Sequence, residues 1–387
     1  MAASRGNGRN GTGALRRAAG RVLIVGVEAG SLSAAERAWL RLLSPSGIIL
    51  FRRNVEEPRQ VHALLRNAEE AAASGTPLVR AMDVEGGTVD RLRDLIAPLP
   101  SAEAVASTGD PKLWTAHGRL AGREMRLLGL NVDFAPVLDL KTEASAPVMT
   151  SRVHSSDPDR VAGYAAHFLR GLREEDVLGC GKHFPGLGGG RVDSHHRTPA
   201  IEASFDELWG RDLLPYRTLA RQLRLVMISH AAYPKTRSGA DPASVSRFWT
   251  TDVLFGKIGF RGLAISDDME MGGILSQAGI GDACVRALLA GTHLVEICHS
   301  PGLIFAGYEA ILSEAERSPA FARRLVDAAG QVVHFRQKQL QPSQFPKAPS
   351  AREIAQVRTA IQKFSARNFS ASRAQREALA QEKGSGQ

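Results

Sequence analysis

The sequence has 387 residues, 43% hydrophobic and 23% charged, close to globular averages, which excludes a wholly disordered or fibrous chain and suits one large domain or two ordinary ones. The net charge of +9 sits at the ends: residues 1–21 carry five arginines and no acid, and residues 336–387 carry ten Lys/Arg against three Glu, which leaves 22–335 at −3 and gives no charge argument for a nucleic-acid-binding body. Three cysteines (Cys180, Cys284 and Cys298), odd in number and far apart, fit reduced thiols of a cytoplasmic protein better than a disulfide framework, and no apolar run reaches the roughly 18–20 residues that span a bilayer.

In chain order, 1–21 reads as a flexible basic lead, because its short apolar continuation is followed by Glu28 and no A-x-A-like cleavage pattern. Eight β-branched apolar runs follow, at 22–27, 47–51, 78–83, 131–137, 177–184, 223–230, 262–268 and 293–298. Near-continuous apolar runs suit strands buried on both faces of a parallel sheet. Helical patterns lie between them. Ser33-x-x-Glu36 is a capping box; Asp110-Pro111 and Asp157-Pro158 each place a capping side chain before an N1 proline; Gly129 closes the first of those two helices. The stretches 204–223, 282–291 and 302–318 also have helical spacing.

Eight strand and helix pairs predict a (β/α)8 barrel, with an open doubly wound sheet as the alternative. The polar residues favour the barrel. Asp83, Asp133, His183, His230, Asp267 and Asp268 fall at or near the C-terminal ends of their runs, where barrel enzymes assemble their sites. The expected organisation is a flexible segment 1–21, a barrel 22–335, and a proline- and glutamine-rich linker with basic amphipathic helices over 336–387.

Three stretches carry candidate chemistry. In CGKHFPGLGGGRVDSHHRTP (180–199), Lys182 and His183 end a strand, and a glycine-rich loop carries Asp193, His195 and His196. A phosphate cradle is disfavoured because Arg191 stands where the third glycine of G-x-G-x-x-G belongs. A metal site is disfavoured because adjacent histidines diverge in extended chain and no third ligand has suitable spacing. An acid/base loop fits better: Asp193 and His195, two apart, form a dyad in which the carboxylate fixes the imidazole tautomer; a merely solvated polar loop is the remaining reading. In AISDDME (264–270) the adjacent carboxylates are expected to point to opposite sides, Asp267 into the pocket as a nucleophile and Asp268 outward, with a helix N-cap as a second role for Asp268. In MDVEGGTVDRL (82–92), Asp83 suits paired sugar hydroxyls. Gly86 and Gly87 either let backbone approach a ligand or form a structural left-handed turn. Arg152 is a further loop cation.

These residues resemble glycoside hydrolase family 3, in particular its bacterial β-N-acetylglucosaminidases of cell-wall recycling. The resemblance runs in order through EAGSLSAAER, GIILFRRN, MDVEGGTVDRL, NVDFAPVLDL, KHFPGLGGGRVDSH, PASVS and GFRGLAISDDMEM, roughly 22–330. It implies a (β/α)8 barrel, no cofactor, no metal, and a retaining double displacement. By position it implies Asp267 as nucleophile, His195 as general acid/base with Asp193 as dyad partner, and Asp83, Arg91, Arg152, Lys182 and His183 as the residues holding N-acetylglucosamine. The sequence departs from the family pattern at Leu187 (usually His), Thr88 (usually Arg) and His293 (often Asp), and Arg152 lies in MTSRVH rather than the usual DRSF context. The expectation is a monomeric exo-β-N-acetylglucosaminidase acting on muropeptide fragments. A family 3 β-glucosidase or phosphorylase is the alternative, and an inactive barrel binding anions or cell-wall material through its basic ends is the reading from another class.

Overall fold

The computed structural model describes residues 6–190, 198–340 and 345–366. Eight strands form one closed ring: β1 (Leu23–Gly26), β2 (Gly47–Ile49), β3 (Val79–Met82), β4 (Val132–Asp133), β5 (Leu178–Phe184), β6 (Leu225–Ile228), β7 (Leu263–Asp268) and β8 (Leu294–Ile297). Every strand pairs in parallel with its sequence neighbours, and β1 pairs with both β2 and β8. All eight apolar runs become barrel strands. Their interior faces pack Ile24, Ile49, Val79, Phe134, Met227, Ile265 and Leu294 into a closed core, while the alternate positions meet the surrounding helices, so neither face meets water.

The capping signals act as expected. Ser33 and Glu36 make the reciprocal box at the start of Ala34–Leu43. Asp110 accepts from the Lys112 N–H and Asp157 from the Asp159 N–H, opening Pro111–Leu128 and Pro158–Glu174. Gly129 ends the former at φ 96°. The 204–223 pattern does not stay continuous. It breaks into Phe205–Gly210 and Leu214–Leu219, since Pro215 cannot continue the intrahelical ladder and Asp212 turns inward, buried and paired with Arg211.

Both terminal boundaries differ from the sequence expectation. Gly6–Arg21 is a helix rather than a flexible lead: Ala18 and Ala19 are buried, the Tyr308 hydroxyl donates to the Arg16 carbonyl, and Gly20 lies so close to the Leu43 carbonyl that a Cβ would not fit. The last barrel helix runs Pro319–Gln339, through the expected boundary at 335. Arg336, counted with the basic tail in the sequence reading, is fully buried under the barrel and donates to Ser46, Ser74 and the carbonyls of Thr76 and Pro77.

The segment 345–366 is strapped to the barrel wall. Phe345 packs on Gly129 and beneath the Arg80 guanidinium, 4.8 Å from ring centroid to guanidinium carbon, while His62 donates to the Pro346 carbonyl. A helix over 351–366 buries Ile354, Val357 and Ile361, and Arg358 donates to the carbonyls of Leu95 and Ile96. Among the described residues no helix is long and apolar enough to cross a membrane. Ile361 is fully buried, so Ile361→Ala should cost about 2–5 kcal/mol, read as a lowered denaturant midpoint; an unchanged midpoint would show that the strap does not dock.

Candidate active site

The C-terminal strand ends surround a cavity of about 210 Å³. Phe134, Met227 and Ile49 give it an apolar floor, and polar side chains from β3, β5, β7 and β8 line its wall. Asp83, Arg91, Arg152, Lys182, His183 and Asp267, six of the residues singled out from sequence, line this one cavity. The expected acid/base pair, Asp193 and His195, lies outside the described residues, as does His196.

One buried ion cluster orders the wall. Lys182 Nζ lies 2.6 Å from Asp83 Oδ1 and 2.6 Å from Glu85 Oε1. Glu85 takes a two-pronged contact from Arg152, Nε to Oε2 at 2.8 Å and Nη2 to Oε1 at 2.9 Å. Arg91 Nη2 approaches Asp83 Oδ2 at 3.8 Å. The Lys182 and Glu85 side chains are each only 3% exposed. Burial works to raise the Glu85 carboxyl, yet attraction to Arg152 and Lys182 outweighs it and holds the group well below the usual carboxylate range. Burial likewise opposes charge on Lys182, and Asp83 and Glu85 reverse that and raise its pKa.

Glu85 was not legible as a site residue, because its partners come from a loop and a strand far along the chain. It lies in a short hairpin, Val84–Gly86 with Val89–Asp90. Gly86 and Gly87 turn at φ 82° and 65°, and added Cβ atoms would meet Pro100 and Ser101. The glycines therefore make a packed structural turn rather than an opening for ligand. Thr88 at its tip is exposed.

Asp139 was also missed, although it sits six residues after Asp133, just past the 131–137 apolar run. Its Oδ2 accepts from His183 Nδ1 at 2.7 Å and its Oδ1 from the Leu187 N–H at 2.7 Å. A carboxylate acceptor puts the His183 proton on Nδ1, and Nε2 faces the Arg152 guanidinium at 3.5 Å. Leu187 holds its place in the turn through its backbone.

Asp267 is partly exposed at the end of β7, and its Oδ1 accepts from the Asp268 N–H at 3.0 Å. Burial would raise its pKa; His183, His230, the Asp268 amide and Lys182 together bring it below the ordinary value, so the group is a carboxylate at neutral pH. His230 underlies it, donating from Nε2 to the Asp268 carbonyl and accepting at Nδ1 from Ser244.

Asp268 corrects two expectations. The register against β8 shifts between Ile265 and Asp268, and with the strand no longer regular both neighbouring carboxylates line the cavity. Asp268 caps no helix; its Oδ1 accepts from Glu270 N–H and its Oδ2 lies 3.4 Å from His299 Nε2. Of the other strand-end residues, Asp133 is buried behind the wall, where it holds the Val84 N–H. Glu296, unremarked in the sequence, lines the cavity with a carboxyl that burial pushes well up; Cys298 donates to its Oε1. His293 lies at the opposite end of the barrel, where Nδ1 accepts from the Ala264 N–H and Nε2 donates to Gln331, with burial lowering its pKa to about 3. Among the described residues no group of three or more His, Cys, Asp or Glu is arranged to hold a metal ion.

The family description "Glycosyl hydrolase family 3 N terminal domain" matches residues 15–333. A β-hexosaminidase of Tolumonas auensis is 36% identical over 302 residues, 77% of this chain and 87% of that protein, and one of Pseudomonas aeruginosa is 38% identical over 272 residues, 69% and 79% of the two chains. Among solved structures, a family 3 β-N-acetylglucosaminidase from Paenibacillus superposes with a TM-score of 0.81 at 29% identity, over 91% of this chain and 68% of the other. NagZ from Neisseria gonorrhoeae superposes with a TM-score of 0.67 at 28% identity, over 81% and 98%.

Replacing Glu85 by Gln leaves Lys182 and Arg152 without their shared carboxylate and should cost about 3–5 kcal/mol. The folded-state pKa of Glu85 lies below its ordinary value of 4.5, so its contribution is complete above that value and is lost as pH falls below it. Wild-type stability should therefore fall more steeply than that of Glu85→Gln between about pH 5 and pH 3, measured by urea denaturation; parallel curves would show that Glu85 is not held charged.

Proposed function

The chain belongs to glycosyl hydrolase family 3, and from that premise we propose that it is a retaining exo-β-N-acetylglucosaminidase that removes terminal N-acetylglucosamine from muropeptide fragments in peptidoglycan recycling. The observation that carries this reading is Asp267: a carboxylate kept charged beside an apolar floor, beneath a wall of fixed cations and carboxylates. An anionic oxygen there suits attack on an anomeric carbon whose positive charge grows in the transition state.

In the proposed first step Asp267 forms a bond to the anomeric carbon as the glycosidic bond breaks, and His195 gives its proton to the departing oxygen. In the second, His195 takes a proton from water, which displaces Asp267 with a second inversion. Asp193 orients His195. Asp83, Arg91, Arg152, Lys182 and His183 hold the hydroxyls and acetamide of the sugar. Because the ion cluster fixes Asp83 and Lys182 before substrate arrives, little ordering cost falls on binding. Relatives termed β-hexosaminidase, at 36% and 38% identity, support the N-acetylhexosaminide specificity. The three described cysteines are unpaired and buried, which supports placement in the cytoplasm, where such fragments would be processed.

Asp267→Ala should abolish turnover of a chromogenic N-acetylglucosaminide; retained turnover would remove Asp267 as nucleophile. His195→Ala should lose about 10²–10⁴-fold on poor leaving groups and much less on good ones, whereas uniform loss would speak against general acid work. A panel of N-acetylglucosaminide, glucoside and N-acetylgalactosaminide should show hydrolysis of the first well above the others, and preference for the glucoside would overturn the specificity.

A further inference from the structure

The cations on the cavity wall are not held alike. Lys182 is fixed through its side chain by Asp83 and Glu85, and Arg152 by Glu85. Arg91 has no comparable anchor. Its Nη2 stands 3.8 Å from Asp83 Oδ2, beyond hydrogen-bond reach, its guanidinium carbon lies 5.9 Å from the Phe51 ring centroid, and its buried Nε has no hydrogen-bond partner among the described residues. The placement of this guanidinium therefore depends on its backbone, which opens a stretch, 91–100, that forms neither helix nor strand.

Asp90 ties that loop from within. It is 3% exposed and accepts from the Leu92 N–H on Oδ1 and from the Leu99 N–H on Oδ2, each at 3.0 Å. The tie from outside comes from the strap. Arg358 donates from Nε to the Ile96 carbonyl at 2.9 Å and from Nη2 to the Leu95 carbonyl at 3.1 Å. The N–H groups of the same two residues donate to the Leu92 carbonyl, at 2.9 Å and 3.0 Å, so Arg358 grips the turn that begins one residue after Arg91. Six residues along the strap helix, Phe364 stacks on His117, with ring centroids 6.3 Å apart and planes inclined by 15°. His117 in turn backs the hairpin, since a Cβ added at Gly86 would lie 3.1 Å from its Nε2. The strap is thus bonded to the segment that carries Arg91, although it lies beyond residue 333, where the family match ends.

We propose that Arg358 is a positioning residue for sugar binding, whose two-carbonyl clamp makes the strap part of the apparatus that sets Arg91 against the substrate. This rests on the hydrolase reading above. A cation that holds the sugar equally before and during reaction contributes to KM rather than kcat. With a chromogenic N-acetylglucosaminide, Arg358→Ala should raise KM about fivefold and leave kcat within about twofold, and Arg358→Lys, which keeps one donor group for the carbonyls, should restore part of the loss. Arg91→Ala should raise KM by itself, and adding Arg358→Ala to it should raise KM no further, because the clamp acts through Arg91. Arg352→Ala, which removes an exposed cation from the same helix, should leave both constants unchanged. An unchanged KM in Arg358→Ala or in Arg91→Ala, a full further rise in the double variant, or an equal rise in Arg352→Ala would overturn the positioning role while leaving the hydrolase intact. So would a fall in kcat at constant KM, the signature of a smaller folded fraction. Wild-type protein that fails to cleave the glycoside would overturn the function and the positioning role together.

Discussion

Two cations and two carboxylates brought out of water at one point govern the rest of the site. A buried charge costs several kcal/mol unless its partners are placed well, so Lys182, Arg152, Asp83 and Glu85 constrain one another's backbones. The hairpin after β3 must fold back far enough to present Glu85. The turn at Thr150–Arg152 must bring the guanidinium in from the other side. β5 must end with Lys182 directed inward. The cavity wall is thus built by ion pairing before any ligand arrives, and Lys182 also helps keep Asp267 ionised.

The barrel was legible in the sequence for a simple reason. Strands covered on both faces need apolar residues at nearly every position, so each run announced its strand, and the polar interruptions at 83, 183 and 267 marked the end where the site forms. Asp267, Asp83 and Lys182 could be singled out because they terminate such runs. Glu85, Asp139 and His299 could not, since their meaning depends on partners contributed by other parts of the ring. The Asp267–Asp268 pair shows another limit: the rule of alternating faces holds only for a regular strand, and the register shift after Ile265 removes that regularity. A proline at 215 split one helical pattern for reasons of backbone chemistry that periodicity alone does not weigh.

The basic ends read differently once folded. Charge counting treated them as appendages, but two of these arginines serve as carbonyl clamps. Arg336 joins the base of β2 and the approach to β3 from beneath, and Arg358 ties the strap to the carbonyls at 95 and 96. A guanidinium has five donors in a fixed fork, well suited to gathering loop carbonyls that have no strand to pair with. Part of the net charge of +9 is therefore structural mortar rather than an outward field.

Arg53 occupies the seam of the ring. It bridges the carbonyls of Val27, after β1, and Cys298, after β8, two segments made near opposite ends of synthesis, and Gly26 leaves the Cys298 carbonyl room to approach. Strand β7, which carries Asp267, leaves the ribosome before β8, yet the His299 side of the mouth has no counterpart until the last strand docks against the first. A growing chain consequently holds the Asp267 carboxylate well before it holds a complete mouth, and the pocket acquires its full outline only when the circle is joined.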